Sequence, residues 1–309
     1  MPAWLFLATS LLAPAPQDLP AAAAASTQPP RCRTDTRRRT VWGLARRPAL
    51  AEYCRRLSRA EARRGEDPKG AEEDARRADA LMPGTAAPSV VLGRLAAERG
   101  DDEAALVAFR RAEAIAPESV SSPVVMLTLA RSLSRRGAFS RAAAVYRRLV
   151  PRATLMPQPA QRVAVLLEAT YVVLEENAGQ PEPPPEALAY VREASRVRHH
   201  GLELDVAITL ALVLDLSGRR AQADAIVSDL RGLRAWAERD RSRYLIHDED
   251  RILLQAWART QHAPQAAAQA FSAYARDARA TSPFAELAAR RAKGSSAAAV
   301  GPTGRRGGR

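Results

Sequence analysis

The sequence predicts an all-α protein, an α-solenoid in which about six helix-turn-helix hairpins and a closing helix form a right-handed superhelix. Three similar segments carry this prediction: LSRAEARRG begins at Leu57, LGRLAAERG at Leu92 and LARSLSRRG at Leu129. Their starts lie 35 and 37 residues apart, a period typical of stacked helical hairpins. Alanine dominates the hydrophobic 47% of the chain and aromatic residues reach only 5%, which favours helices packed through small side chains.

The first 40 residues precede the predicted repeats. An apolar run from Trp4 to Ala13 has the length of the apolar region of a secretory signal and is too short to span a bilayer. Because no Lys or Arg precedes this run, export to the periplasm or cell envelope and a cytoplasmic location are equally compatible with it. Residues 14–40 hold little that a core would bury, which predicts a disordered linker rich in Pro, Ala and Arg.

Helical periodicity begins near Trp42 and continues through three hairpins whose ends are marked by proline and glycine. Each second helix carries an alanine followed four and seven residues later by apolar residues, which places these side chains on one face. The predicted helix pairs are 48–64 with 69–82, 86–99 with 102–116, and 123–136 with 139–150.

The pattern loosens in the second half of the chain without disappearing. Residues 163–176 are strongly apolar, and residues 187–194 restore the spacing of the second helices. The predicted later elements are a fourth hairpin built from these two segments, a fifth at 203–233, a sixth at 248–278, a closing helix at 284–293 and a disordered basic tail at 294–309.

The second hairpin resembles the tetratricopeptide repeat, a helix-turn-helix unit of 34 residues. The matching residues are Leu92, Gly93, Gly100, Ala105, Phe109, Ala112 and Pro117. Ser89 and Ala96 stand where this family has its typical tryptophan and tyrosine. The resemblance is clearest over 48–151 and weaker to 278, within a repeat domain predicted at 41–293. It implies a concave surface lined by the first helices, on which a partner protein or peptide binds.

The resemblance also implies candidate partner-binding residues on the first helices. Two positions of each first helix are expected to face the concave groove, and five of the six residues there are arginines. The six residues are Arg59, Arg63, Arg94, Glu98, Arg131 and Arg135. A row of guanidinium groups would hold the carboxylates of an acidic partner by bidentate contacts. The residues leave open the alternative of a solvated arginine-rich face. Arg64, Arg99 and Arg136 are expected to stabilise helix C-termini.

The formal charge of +13 is concentrated near the ends of the chain. Residues 31–64 carry 12 Arg against three acids, and residues 289–309 carry six bases and no acid, whereas residues 65–288 carry 29 bases against 30 acids. Binding of nucleic acid or an anionic membrane through the Arg-rich ends is therefore the alternative to a partner-binding scaffold. Only two of the 47 bases are Lys, which either guanidinium recognition or a GC-rich genome would produce.

No motif in the sequence indicates catalysis, and the prediction is a non-enzymatic protein with no catalytic residue, cofactor, metal or small-molecule substrate. None of the four histidines has the spacing of metal ligands, and there is no glycine-rich phosphate loop or G-x-S-x-G motif. Cys32 and Cys54 are the only cysteines. An exported chain would allow them to pair and tie the linker to the first helix, whereas in a cytosolic chain Cys54 would be a small core residue and Cys32 a free thiol, and the residues leave the pairing open.

Overall fold

The computed structural model describes Cys32 and residues 48–180, 182–197, 201–230, 244, 247, 249–260, 263–277 and 282–299. These residues contain thirteen α-helices and two short 3₁₀ helices, and no strand occurs among them. The predicted leader, the linker apart from Cys32, and the tail beyond residue 299 lie outside the described residues.

In the described part of the chain the helices form six consecutive pairs, which we call hairpins 1 to 6, and a closing helix. The pairs are α1 (Pro48–Arg63) with α2 (Pro68–Leu81), α3 (Ala86–Glu98) with α4 (Asp102–Ile115), α5 (Pro123–Arg135) with α6 (Phe139–Leu149), α7 (Pro159–Glu176) with α8 (Pro185–Arg196), α9 (Glu203–Leu216) with α10 (Arg220–Asp229), and α11 (Asp250–Arg259) with α12 (Pro264–Asp277). The closing helix is α13 (Ala285–Ala299), and the 3₁₀ helices at Pro117–Val120 and Val150–Leu155 follow α4 and α6.

In hairpins 1 to 3 these bounds lie within one residue of the predicted ones, and the later pairs occur where they were predicted. The predicted ends of hairpins 5 and 6 at 233, 248 and 278 lie outside the described residues, and two other helix ends differ from the prediction. Helix α7 begins at Pro159, four residues before the predicted start, because proline suits the first helical position. Helix α13 ends at Ala299 and therefore takes in six residues that were predicted to belong to the basic tail. Three alanines at 297–299 favour this extension of the helix.

The turn of hairpin 2 shows how the sequence ends one helix and begins the next. Gly100 has a φ of 79°, a conformation that a β-carbon disfavours, and it stops α3. Oδ1 of Asp101 accepts a hydrogen bond from the Ala104 backbone N–H at 3.0 Å and caps α4. Asp67 caps α2 in the same way through the N–H of Gly70, at 2.9 Å. Local residues thus set the hairpin turns.

Small side chains let the two helices of a hairpin approach closely. In hairpin 2 the Phe109 ring lies against Gly93, where an added β-carbon would stand 2.8 Å from a ring carbon. Ala105 and Ala112 flank Phe109 on α4, and all three residues are buried. The predicted alanine, aromatic and alanine face of the second helix is therefore the face that packs against the first helix.

Hairpins 1 to 5 form a continuous stack. At each junction the second helix of one hairpin packs on the first helix of the next. The first helices also contact one another, as α1 does with α3, α3 with α5, and α7 with α9, whereas the described second helices of neighbouring hairpins stay further apart. This difference curves the stack and puts the first helices on its inner face. The arrangement is the predicted α-solenoid. Within the described residues no helix has both the length and the apolar character that crossing a membrane requires.

Candidate functional site

The inner face of hairpins 1 to 4 carries ion pairs that join neighbouring first helices. Nη1 of Arg94 donates to both carboxylate oxygens of Glu61, each at 2.9 Å. Arg131 donates through Nε and Nη2 to Glu168, at 2.9 and 2.6 Å. Both arginines were predicted to face a partner, and both reach a carboxylate of this chain.

Arg94 lies within a neutral group of four charges between hairpins 1 and 2. Its side chain is only 8% exposed, and burial lowers the pKa of the guanidinium, an effect that Glu61 opposes. Glu98 binds Arg64, whose Nε also lies 3.5 Å from Glu61. Arg64 therefore joins two hairpins in addition to its expected position near the end of α1. Arg94 is held away from solvent, and Glu98 is already paired.

Arg131 is more accessible, with 43% of its side chain exposed. Burial works against its charge, but the hydrogen bonds to Glu168 raise the pKa of Arg131 above its ordinary value. Glu168 also accepts a hydrogen bond from the Tyr146 hydroxyl at 2.8 Å. Burial, with the nearby Glu168 carboxylate, raises the pKa of Tyr146. Arg131 is thus a fixed cation whose outer edge faces solvent.

Arg135 connects hairpin 3 to hairpin 2. It donates through Nε and Nη2 to Asp102 at 2.7 and 2.5 Å, and 46% of its side chain stays exposed. Burial alone would raise the pKa of Asp102, but the hydrogen bonds from Arg135 and Ser132 outweigh it and lower that pKa.

Arg59 and Arg63, the last two candidates, lie beside one carboxylate at the N-terminal end of the stack. Nη1 of Arg63 is 3.4 Å from Asp74 of α2, and Nη1 of Arg59 is 4.0 Å from it. Arg56 makes the closest contact with Asp74, at 2.7 Å.

The structure therefore does not gather the five arginines among the six candidates into one row of free guanidinium groups. Sequence reasoning missed the acids that pair with them: Glu61, Asp102, Glu168 and Asp74. A signal for three of these acids was the repeat period. Glu61 and Arg94 are separated by 33 residues, Asp102 and Arg135 by 33, and Arg131 and Glu168 by 37. Residues separated by about one period belong to adjacent hairpins and can lie close in space even where their positions in the hairpin differ.

Accessibility of the inner face changes along the stack. Val124 of hairpin 3 is 40% exposed and lies seven residues before Arg131, on the same face of α5. In hairpins 4 and 5 the inner face is buried: the Tyr171 and Thr209 hydroxyls, 3.1 Å apart, join α7 to α9 in the interior. One apolar cluster connects these helices to α11 and α13. The reachable inner face of the described residues therefore belongs mainly to hairpins 1 to 3.

Two further sequence features are placed by the structure. Cys32 forms a disulfide with Cys54 of α1, a pairing that the sequence left open, and belongs to the same buried cluster as Tyr53 and Leu57. His247 lies with Nε2 3.8 Å from Glu175. No group of three or more residues able to hold a metal ion occurs in the part of the chain that the structure describes.

Comparison with known proteins adds little beyond this geometry. No protein-family model matches the chain. No curated protein matches it significantly. PilF of Pseudomonas aeruginosa is similar in structure at 16% identity and a TM-score of 0.48, over 79% of this chain and 99% of that one. A tetratricopeptide repeat protein of Parabacteroides merdae ATCC 43184 is similar at 15% identity and a TM-score of 0.39, over 80% and 99%.

The class of protein follows from the hairpins themselves. Helix pairs at the repeat period, alanine and glycine at their close approaches, and first helices on the inside of a curved stack define a helical-repeat protein whose hairpins are similar to tetratricopeptide repeats.

Proposed function

We propose that the protein is a non-enzymatic scaffold that binds a partner protein or peptide on the inner face of hairpins 1 to 3. The observation that supports this most is the contrast in accessibility: Val124, Arg131 and Arg135 are about half exposed there, whereas Tyr171 and Thr209 on the inner face of hairpins 4 and 5 are buried.

The proposed partner is acidic, and the candidate residues have two roles in binding it. Arg94 and Glu98 hold hairpins 1 and 2 together and so set the shape of the surface. Arg131 uses Nε and Nη2 for Glu168, and its Nη1, which makes no hydrogen bond to the described residues, would bind the partner. Arg135 likewise presents the exposed part of its guanidinium group, and Val124 supplies apolar contact beside Arg131. Arginine suits this role because its planar fork matches a carboxylate.

Site-specific photocrosslinking tests this proposal with two valines of similar exposure. A photoreactive phenylalanine analogue replaces Val124 on the inner face, or Val107 on the outer helix α4, which is 53% exposed. In the native cell we expect one discrete crosslinked partner from position 124 and none from position 107. Crosslinking of the same partner from position 107 alone, or from both positions equally, would contradict an inner-face site.

The alternative, binding of nucleic acid or an anionic membrane through the Arg-rich ends, concerns residues that lie mostly outside the described ones. Arg291 belongs to the basic C-terminal segment and lies within the described residues. It is 4% exposed and is paired with two aspartates. It is therefore unavailable to a polyanion, and no observation favours this alternative over the scaffold.

A further inference from the structure

One face of α1 carries more guanidinium groups than there are carboxylates beside them among the described residues. Arginines recur on it at helical spacing, at positions 55, 56, 59 and 63, with Glu52 at its start. We call this set the α1 end face. Its carboxylate partners are Glu52, bound by Arg55 and Arg56, and the buried Asp74, approached by Arg56, Arg59 and Arg63. Four cations therefore share two carboxylates, leaving a net charge of +2.

Arg59 and Arg63 are the least satisfied of these cations. Arg59 Nη1 stands 4.0 Å from Asp74, beyond hydrogen-bond distance, and 40% of its side chain is exposed. Arg63 has one contact, at 3.4 Å, and 47% exposure. Most of their N–H donors point to no carboxylate among the described residues.

In hairpins 2 and 3, most residues at the positions equivalent to Arg59 and Arg63 contact the preceding hairpin. Counted from the turn glycines, Arg59 corresponds to Arg94, and Arg63 corresponds to Glu98 and Arg135. Arg94 binds Glu61 of hairpin 1, Glu98 binds Arg64 of hairpin 1, and Arg135 binds Asp102 of hairpin 2. Only Arg131 departs from this pattern and binds the following hairpin.

Hairpin 1 has no preceding hairpin among the described residues, and none of these residues covers the equivalent face of α1. Exposure measures the difference: 40% of the Arg59 side chain is accessible, against 8% for its counterpart Arg94. Arg94 and Arg135 occupy these positions in hairpins 2 and 3. Each makes two hydrogen bonds to one carboxylate of the preceding hairpin. Within the described residues, the α1 end face therefore lacks the carboxylate of a preceding hairpin that Arg94 and Arg135 bind in hairpins 2 and 3.

We propose that the α1 end face docks an acidic segment of a partner protein, which takes the place of a preceding hairpin and pairs its carboxylates with Arg59 and Arg63. The proposal goes beyond the inner-face site because it concerns the end of the stack and a separate contact. Carboxylates are the specified chemistry because Glu61 and Asp102 satisfy the equivalent positions.

The rest of this chain is a poor occupant on grounds of charge. Residues 1–47 carry seven Arg and two acids, Asp18 and Asp35, and residues 294–309 carry three Arg and no acid. A second copy stacked head to tail would present α13, whose exposed charges are Glu286 against Arg290 and Lys293. Like charges would oppose either contact, whereas an acidic partner is attracted.

A binding experiment on the full chain tests the proposal. The probe is a fluorescein-labelled helical peptide of alanine with glutamate at every third or fourth position, and its control replaces each glutamate with glutamine. Fluorescence anisotropy at low salt should show tighter binding of the glutamate peptide. Arg59→Glu with Arg63→Glu should weaken that binding by about tenfold or more. Arg59→Gln with Arg63→Gln should weaken it less, and it serves as a second variant if repulsion from Asp74 unfolds the first.

The matched control is Arg76→Glu with Arg77→Glu, on the same hairpin. These side chains are 69% and 60% exposed and pair only within α2. The same change in charge should leave binding within about twofold. Equal losses in both double variants would show attraction by net charge alone and overturn the proposal, as would equal binding of the two peptides.

Two other anions separate an acidic protein segment from a general polyanion site. Oligothymidylate and vesicles containing phosphatidylserine are titrated against the same variants. Stronger binding of either, with dependence on Arg59 and Arg63, would overturn the assignment to a protein partner. Crosslinking from Val124 is measured separately, so the inner-face proposal and this one succeed or fail independently.

Discussion

Hairpins 1 to 3 and the part of the stack that begins at hairpin 4 are both built from helix pairs, but their inner faces differ in chemistry and in exposure to solvent. In the first region, ion pairs such as Arg94 with Glu61 cross the hairpin junctions, and Arg131 and Arg135 keep exposed edges. In the second region, twelve residues of α7 are buried, and α11 and α13 share its apolar cluster. A repeat stack therefore offers a surface to a partner only where its own C-terminal helices have not already covered it.

The strongest test of this comparison disrupts the covered region. Arg291 of α13 donates to Asp215 and Asp224, at 2.5 Å each, and its guanidinium lies 5.0 Å from the centre of the Trp257 ring. Replacing it with alanine leaves the 5% exposed Asp215 unpaired. We expect Arg291→Ala to lower the free energy of unfolding by about 3–5 kcal/mol, measured by urea denaturation.

The neighbouring Arg290 provides the control, because it is more exposed than the buried Arg291 and has no ion pair in the described part of the chain. Arg290→Ala should change the free energy of unfolding by no more than about 0.5 kcal/mol. Similar losses in the two variants would mean that α13 contributes through its general charge, and that the covered region does not depend on this one buried cation.

Arg291 also shows what the sequence could and could not predict. Its position in a basic C-terminal segment does not reveal its partners, because the aspartates that pair with it are 67 and 76 residues away. Elements set by local residues were predictable, such as the turn at Gly100 with its cap Asp101. Pairing between hairpins depends on how the helices are rotated and offset, which no local pattern specifies.

For the candidate site, the sequence placed Arg94 and Arg131 on the correct helices but did not predict their partners. Their sequence positions are equivalent, yet Arg94 binds the preceding hairpin and Arg131 the following one. The difference follows from which neighbour presents a carboxylate within reach, Glu61 in one case and Glu168 in the other. The position of an arginine in the repeat therefore predicts which helix carries it, whereas the neighbouring acidic residues determine which ion pair it forms.

A prediction of intermediate size concerns packing in the open region. Gly93→Ala would place a β-carbon 2.8 Å from the Phe109 ring, so we expect a loss of about 1–3 kcal/mol in the free energy of unfolding. Phe109→Leu in the same chain should recover part of this loss relative to Phe109→Leu alone. Gly65→Ala is the control, because no atom lies within 4 Å of the added carbon. Equal effects at Gly93 and Gly65 would refute close approach as the cause.

The smallest expected effect concerns the junction of hairpins 2 and 3. Asp102 has a lowered pKa in the folded protein, so its contribution to stability is present above the unfolded-state pKa of about 3.9 and is lost as the pH falls through the folded value. Asp102→Asn should cost about 1 kcal/mol at neutral pH, since Arg135 stays partly exposed. Urea midpoints of the two chains should converge as the pH is lowered from 6 to about 3.

The outer pair Asp79 with Arg111 decides whether this effect belongs to the inner junction. Arg111 also makes two hydrogen bonds to its aspartate, through Nη2 at 3.0 and 2.8 Å, but Asp79 is 23% exposed against 10% for Asp102. Asp79→Asn should therefore change stability by less than about 0.5 kcal/mol, with a weaker dependence on pH. If both variants lose the same stability and converge with the wild type over the same pH range, burial does not distinguish the two pairs. Ion pairs on the inner face would then hold the hairpins together no more than those on the outer face, and the exposed edges of Arg131 and Arg135 would have no special support from their junctions.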